Sequence, residues 1–554
     1  MSSRVLHNAA KEVWTNNPSA IRSLAVVVGV SFAAIVPAIV WGIPSNLDLT
    51  NHFRFAAPFY DAIVAGDFYP GWLAESNGGY GDPSFRFYPP ALYYLLAASR
   101  YLIGNWYDAT LVVFAIVAIV GGLGMYFWAR SFMPPSTAVW ASVLYALAPY
   151  HVNQLYQAAM LAEWAGAAVL PFVFGFVDRV CEKGKPRDIA GLAASYGVLI
   201  LTHLPMAVIG SMTLLVYALV RMEGPGKIRR LAKLCFAVIL GLSVSAIYWI
   251  TMVSEVSWIS TDNVNPKPVA DHSYSFLLST LSPDNLSVWW MNILALMTLL
   301  LCAPAFLFLF KSWATLRRTT RPVIVAGAFA LFMCLPLSWP LWRVIRPLQD
   351  TQVPWRWMAS VSMAATIMAA ATLPLVFARL ERVKRMLILG AMAVSVAFTF
   401  SHSIREAQYF SRARFETMVS EVRGSPSIKY WTPIWAHSNL QKMPTEVEAS
   451  GREITVTSWQ PEQRKFAVAA GTAAEARVRT FYYPHWIAKN ESGVLTTRPD
   501  SDGALLISLP QNATSIELVF QEPRRTQFST ITSLSGLIII GALAIPIRRR
   551  RKHD

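Results

Sequence analysis

Apolar runs long enough to cross a membrane recur along this chain, and no other feature restricts its fold so tightly. A hydrocarbon layer of about 30 Å takes roughly 20 helical residues at about 1.5 Å each. The first run is roughly Ile21–Ile43. Others follow near 109–129, 137–152, 160–179, 188–203, 205–220, 234–253, 288–310, 322–338, 355–377, 386–402 and 530–547. Composition agrees, since only 14% of the 554 residues are charged, against about 25% in soluble chains. That excludes a disordered chain and an ordinary soluble enzyme. The pattern predicts a polytopic α-helical membrane protein with about 12 spans.

The net charge of +16 does not point to nucleic acid, because the basic residues stand in short clusters between apolar runs. One cluster is Arg179, Lys183, Lys185 and Arg187; the next is Arg221, Lys227, Arg229, Arg230 and Lys233. Further clusters hold Lys311, Arg317, Arg318 and Arg321, then Arg379, Arg382, Lys384 and Arg385, then Arg548 to Lys552. They fall at every second loop, which places both termini in the cytoplasm. The first run lacks a small-residue cleavage site and reads as a span, not a removed signal. Pro89–Ile103 is short, opens with two prolines and carries Arg100, and counting it as a span would put every later cluster outside. It is expected to lie as a helix along the outer surface.

The chain divides into a helical bundle over residues 1–402, an outer region over 403–528, and a last span with a basic tail over 529–554. The bundle carries a large first outer loop at 44–108. Short alternating runs such as Glu453–Val456, Lys465–Ala469, Ala476–Phe481 and Ser515–Phe520 predict an antiparallel β-sandwich in the outer region. Cys181, Cys235, Cys302 and Cys334 sit in or beside apolar runs without metal-ligand spacing. No Walker loop, Rossmann glycine pattern, HExxH or nucleophile elbow is present, so nucleotide-fuelled transport has no support.

The first outer loop is dense in glycine, proline and aromatics, as in Gly78-Gly79-Tyr80-Gly81-Asp82-Pro83-Ser84-Phe85-Arg86, and is expected to wall a cavity at the bundle mouth. Asp48, near the end of span one, admits two readings: a general base at the membrane boundary, or the cap of a helix starting at Leu49. Glu163 opens span four, either as a functional carboxylate at membrane depth or as a favourable charge at a helix N-terminus. Arg343, Arg346 and Arg356 fall on the outer side, where arginine is uncommon, and phosphate binding would explain them; interfacial snorkelling is the alternative. His203 and His151 are expected to be packed, hydrogen-bonded histidines. Tyr482-Tyr483-Pro484-His485-Trp486 is either a sugar-binding platform or, more commonly for aromatics in a sandwich, core.

The order of one span, a long outer loop opening with an acid, a Pro-Pro-x-x-Tyr-Tyr helix (Pro89 to Tyr94) and an acidic start to span four resembles a known group. These are the C-type (GT-C-like) membrane glycosyltransferases that use polyprenyl-phosphate-linked sugars. Gly78 to Pro83, Leu144 to Tyr150 and Gln352-Val353-Pro354-Trp355-Arg356 more narrowly resemble a bacterial membrane-protein family labelled 6-pyruvoyl-tetrahydropterin synthase-related. No zinc-binding histidine cluster matches that label. The resemblance implies Asp48 as base toward an acceptor hydroxyl and Glu163 as a second carboxylate, orienting the acceptor or holding a metal. It also implies Arg356, with Arg343 or Arg346, on the departing lipid phosphate, and His52, Asp82, Arg86 and His203 as substrate-binding. Asp48 is followed by Leu49 and Thr50 where many members have a second acid, so the need for a divalent metal ion stays open. The implied partners are a polyprenyl-phosphate-linked sugar, a glycan or lipid acceptor and membrane lipids, at a bacterial inner membrane. A transporter or flippase of lipid-linked saccharides, or a non-catalytic envelope scaffold, are the competing readings.

Overall fold

The computed structural model describes residues 18–260, 275–281, 286–312, 320–424, 431–437 and 443–545. Arg317, Arg318 and the basic tail Arg548 to Lys552, on which part of the topology argument rests, lie outside the described residues.

The chain is mostly helical. Among the described residues six helices are long and apolar enough to cross a membrane, or eight if each of two bent pairs counts as one span. The pattern predicts twelve, and the difference has local causes. The run at 137–152 splits into helices Pro135–Ala146 and Pro149–Tyr156, because Pro149 holds Ala148 in an extended conformation. The run at 322–338 breaks before Pro336, where the chain turns by 88°. Lys227–Val244 and Ala246–Trp258 meet at 72°. Helix Pro186–Thr202, at 17 residues, falls just short of a full span. The Pro-Pro segment does form a helix, Ala91–Ile103, ended by Gly104 in the left-handed conformation.

The first outer loop is more ordered than its composition suggests. It opens with helix Leu49–Val64, whose Phe53 meets Phe415 edge-on at 4.9 Å. Phe415 belongs to helix Arg412–Gly424, an element the alternating pattern of the outer region does not predict. Ile43–Pro44 pairs antiparallel with Tyr409–Phe410, so the two outer regions begin side by side. Gly42 is needed at that join, since its φ is +117° and a Cβ there would run into the Phe410 carbonyl.

Beyond this helix the C-terminal outer region is β-structure. One antiparallel sheet runs Val447–Glu448, Glu475–Phe481, Ala504–Ser508, Thr497–Pro499; the other runs Ile454–Trp459, Gln463–Val468, Thr514–Phe520, Trp486–Asn490, Gly493–Leu495. Alternate residues of both, such as Val478 and Phe481 from one and Phe466 and Leu518 from the other, fill a shared core. Trp72 and Tyr80 of the first outer loop complete that core, and the Tyr80 carbonyl accepts from Phe481 N–H at 2.7 Å. Tyr483 and Trp486 are buried in it, so the aromatic run at 482–486 is core, with no open platform.

A buried ion network locks loop, bundle and β-region together. Arg86 grips Glu255 through Nε at 2.6 Å and Nη2 at 2.7 Å, and also reaches Glu522. Glu255, fully buried, further accepts from the Tyr483 hydroxyl at 2.7 Å and Arg525 Nη2 at 2.8 Å, with His485 Nε2 at 2.9 Å. Arg86 is thereby spent on architecture. Removing one partner of such a pair costs about 3–5 kcal/mol. Because Arg525 remains, Arg86→Met is expected to lose roughly 3 kcal/mol, the low end of that range, seen as a lower melting temperature and faster proteolysis of the β-region.

Candidate active site

Two hydrogen bonds stitch the start of helix Leu49–Val64 to the start of helix Leu161–Glu182. Asp48 N–H donates to the Ala158 carbonyl at 3.2 Å, and Leu161 N–H donates to His52 Nε2 at 3.1 Å. The Leu161 amide is shared, since it also donates to the Ala159 carbonyl at 3.0 Å. Asp48 and Glu163, 115 residues apart in sequence, are thus carried by helices whose N-termini are docked together.

Their carboxylates are held very differently. Asp48 does occupy the N-cap position, yet its side chain caps nothing; among the described residues it accepts one side-chain hydrogen bond, from Asn51 Nδ2 at 3.2 Å, and the residue is half-buried. Glu163 is fully buried and committed. Its Oε1 accepts from the Tyr150 hydroxyl at 2.5 Å and from Gln154 Nε2 at 2.6 Å, and its Oε2 lies 2.8 Å from Arg356 Nε. The Arg356 N–H is not aimed along that last vector, so the contact is an ion pair without a directed hydrogen bond. Arg356 Nη1 donates to the Thr351 carbonyl at 2.9 Å and to Gln352 Oε1 at 2.6 Å. Its Nη2 makes no hydrogen bond to a described residue.

Tyr88 connects the two. Burial pushes its phenol above the ordinary range, Asp48 and Glu163 push the same way, and Arg356 opposes them. His52 stands behind it: burial holds the imidazole at about 4, with Asp48 working in the opposite direction. His203 caps helix Leu204–Arg221 by accepting from Met206 N–H at 3.2 Å, and lies within electrostatic reach of Arg356 and His52. Gly166, one turn on from Glu163, lets it approach, since a Cβ there would meet His203 Cβ at 3.1 Å.

The other sequence candidates do not join this group. Arg343 and Arg346 are exposed and bond to none of Asp48, Glu163 or Arg356. Asp82 closes a turn, its Oδ1 accepting from Ser84 N–H at 2.7 Å and from the Ser84 hydroxyl. Tyr88 is the residue that sequence reasoning missed; only its place before Pro89-Pro90 marks it. A narrow crevice in the bundle is lined by Ala34, Val117, Gly121, Tyr145, His151 and Trp164, and by none of Asp48, Tyr88, Glu163 or Arg356. It is apolar apart from His151, whose Nε2 is buried without a partner among the described residues. Among the described residues no three His, Cys, Asp or Glu side chains converge as a metal site.

A family model described as "6-pyruvoyl-tetrahydropterin synthase related domain; membrane protein" matches residues 85–403, more than half of the chain. The chain belongs to this family. A search of the curated proteins finds no match. Similar solved structures include ArnT from Cupriavidus metallidurans bound to undecaprenyl phosphate, at 15% identity and TM-score 0.42, covering 73% of this chain and 77% of that one. The arabinofuranosyltransferase AftD from Mycobacteria is similar at 16% identity and TM-score 0.44, covering 69% of this chain and 26% of that one. The Archaeoglobus fulgidus oligosaccharyltransferase is similar at 12% identity and TM-score 0.42, covering 72% and 57%. The chain thus spans under two thirds of the last two proteins. At these scores the likeness is a loose one of fold.

The sign of one titration is testable. Burial raises the Asp82 carboxyl from 3.8 to about 7, against two hydrogen bonds from Ser84. The unfolded chain gives up this proton first, so the group weakens the fold progressively from about pH 4 to about pH 7 and by a constant amount above. Asp82→Asn, which keeps an acceptor for Ser84, is expected to gain stability over wild type through that window. Thermal melts at pH 5, 6, 7 and 8 read the trend, and a pH-independent difference would contradict it.

Proposed function

We propose that the chain is a membrane glycosyltransferase that moves a sugar from a polyprenyl-phosphate carrier to an acceptor hydroxyl on the outer face of a bacterial inner membrane. What supports the reading is that the helix starts carrying Asp48 and Glu163 are docked together while Glu163 pairs with Arg356 at 2.8 Å. A lightly held carboxylate and an arginine fixed by a second carboxylate thus belong to one joint of the fold. The expected family of the outer-loop motifs supports it, and a twelve-span bundle with a β-sandwich outside remains part of the proposal.

In this reading Asp48 takes the proton of the acceptor hydroxyl as its oxygen attacks the anomeric carbon. The bond between that carbon and the phosphate oxygen breaks, and the electron pair leaves with the phosphate. Arg356 Nη2 meets the charge that develops there, where a fixed cation in a site poor in water acts most strongly. Glu163 is a positioning residue: with both oxygens engaged, it acts through Arg356. His203, as a helix cap, also shapes the wall.

Purified chain given a polyprenyl-phosphate sugar and candidate acceptors tests this. Asp48→Asn is expected to lower transfer by about 10²–10⁴-fold, the usual contribution of a general base, with melting unchanged. Transfer that survives Asp48→Asn would remove Asp48 from the role. Movement of lipid-linked sugar across a vesicle membrane with no transfer would favour the flippase.

A further inference from the structure

The end of the bundle away from the candidate site carries charge that the proposed chemistry does not use. Helix Leu161–Glu182 starts beside Glu163 and, about 30 Å further on at about 1.5 Å per residue, runs into a loop with Lys183, Lys185 and Arg187. A second basic stretch, with Lys227, Arg229, Arg230 and Lys233, opens helix Lys227–Val244. The fold sets the two stretches side by side. Lys233 Nζ donates to the Gly184 carbonyl at 2.8 Å, and a Cβ on Gly184 would run into the Lys233 side chain. Helices Pro186–Thr202 and Lys227–Val244 both start here, so the positive ends of two helix dipoles add to the charge. Two of the nearby acids are withdrawn: Asp188 is buried and held by Arg179 at 2.9 Å, and Glu182 is held by Arg221 at 2.8 Å. Glu223 stays exposed, while Arg230 turns its Nη2 onto the Pro225 carbonyl at 2.6 Å. Lys183, Lys185, Arg187, Lys227 and Arg229 are exposed and form no ion pair with a described residue.

We infer that these five cations form a binding site for the headgroup of an anionic glycerophospholipid, with an acyl chain lying along the outer side of helix Lys227–Val244. A general excess of positive charge on one membrane face accounts for basic loops there. It does not account for apolar side chains set among the cations. Ile228 is 85% exposed and Leu231 46%. With Cys235, Ile239 and Leu242, also exposed, they follow one another at three or four residues and so share one helix face. That apolar stripe begins between Lys227 and Arg229 and continues into the membrane-spanning part of the helix. A soluble anion has no use for such a stripe, whereas a lipid needs cations at its head and an apolar track below them. The basic turn at Arg379 to Arg385 is built otherwise: Lys384 lies 3.6 Å from Glu381, and Arg385 gives Nη2 to the Leu380 carbonyl at 3.0 Å. The inference concerns the far face of the bundle and stands apart from the transferase reading.

Native mass spectrometry of the full chain in detergent, titrated with phosphatidylglycerol, phosphatidylcholine or inorganic pyrophosphate, tests this by counting bound molecules. Wild type is expected to bind phosphatidylglycerol about tenfold or more tightly than phosphatidylcholine, with pyrophosphate competing weakly. Each cation removed should cost about fivefold. The Lys185→Gln, Lys227→Gln, Arg229→Gln triple variant should therefore bind phosphatidylglycerol no better than phosphatidylcholine, whose own affinity does not move. Arg379→Gln with Arg382→Gln, which strips charge from the other basic turn, should stay within about twofold of wild type. Ile228→Gln keeps every cation and should lose phosphatidylglycerol a few-fold while leaving pyrophosphate unmoved. All these side chains are exposed, so thermal melts of the variants should match wild type. A wild type indifferent between the two lipids would overturn the inference. Equal losses from the two basic turns would overturn it in favour of a general charge effect. Pyrophosphate that displaces the lipid at equal concentration, with Ile228→Gln silent, would overturn it in favour of a soluble anion.

Discussion

A carboxylate withdrawn from water costs several kcal/mol unless a cation and further donors meet it, and this constraint shapes the molecule. Among the described residues, three buried carboxylates are each met by an arginine from a distant stretch of sequence. Glu163 is met by Arg356, Glu255 by Arg86 and Arg525, and Asp178 by Arg221 at 2.8 Å, with Tyr217 and Trp128 completing the last set. Each pair joins parts of the chain that apolar packing alone would leave free to slide, since one lipid-facing helix side is much like another. Breaking any one strands a charge, so the pairs specify register more strongly than they stabilise.

The same constraint separates the two carboxylates of the candidate site. Glu163 is committed: its Oε1 takes two hydrogen bonds, its Oε2 is paired with the Arg356 guanidinium, and the whole carboxylate is buried. Asp48 has capacity to spare, being half-buried and held by a single amide at 3.2 Å. A group meant to accept a proton from a passing hydroxyl needs that spare capacity, and a group meant to hold a cation in place cannot keep it. The positions that look alike in sequence, each an acid at the start of an outer helix, are therefore unlike in chemistry.

This difference marks the limit of what the sequence discloses. Its apolar runs and the alternation after residue 450 forecast a helical membrane chain with β-structure near the C-terminus, since both periods follow from backbone geometry. Asp48, Glu163 and Arg356 stand out because charge at membrane depth is scarce. Partners do not stand out. Arg86 and Asp82 look as available as His52 until Glu255 and Ser84 are seen to engage them. Arg343 and Arg346 share a stretch with Arg356 but remain at the surface. Tyr88 is one aromatic among many in its loop, and its setting arises only when helix Leu161–Glu182 docks beside it. The count of long helices among the described residues is lower than the count of apolar runs because Pro149 and Pro336 break runs whose hydropathy is continuous.

The β-region bears on the site without lining it. Trp72 meets Trp486 edge-on at 5.7 Å and sits in the β-core, while Arg86, two residues before Tyr88, is gripped by Glu522 at the end of the last strand. The stretch from Trp72 to Arg86 is therefore held at both ends by the outer region. Gly81 makes the inner turn of that stretch possible, its φ of +85° and missing Cβ letting the Trp72 indole lie against the backbone. Tyr88 follows directly, ahead of two prolines that stiffen its approach to helix Ala91–Ile103. The outer region thus bears on the site by rigidity: it clamps the loop that leads into helix Ala91–Ile103, while the bundle holds Arg356 and the joint between the two holds Asp48.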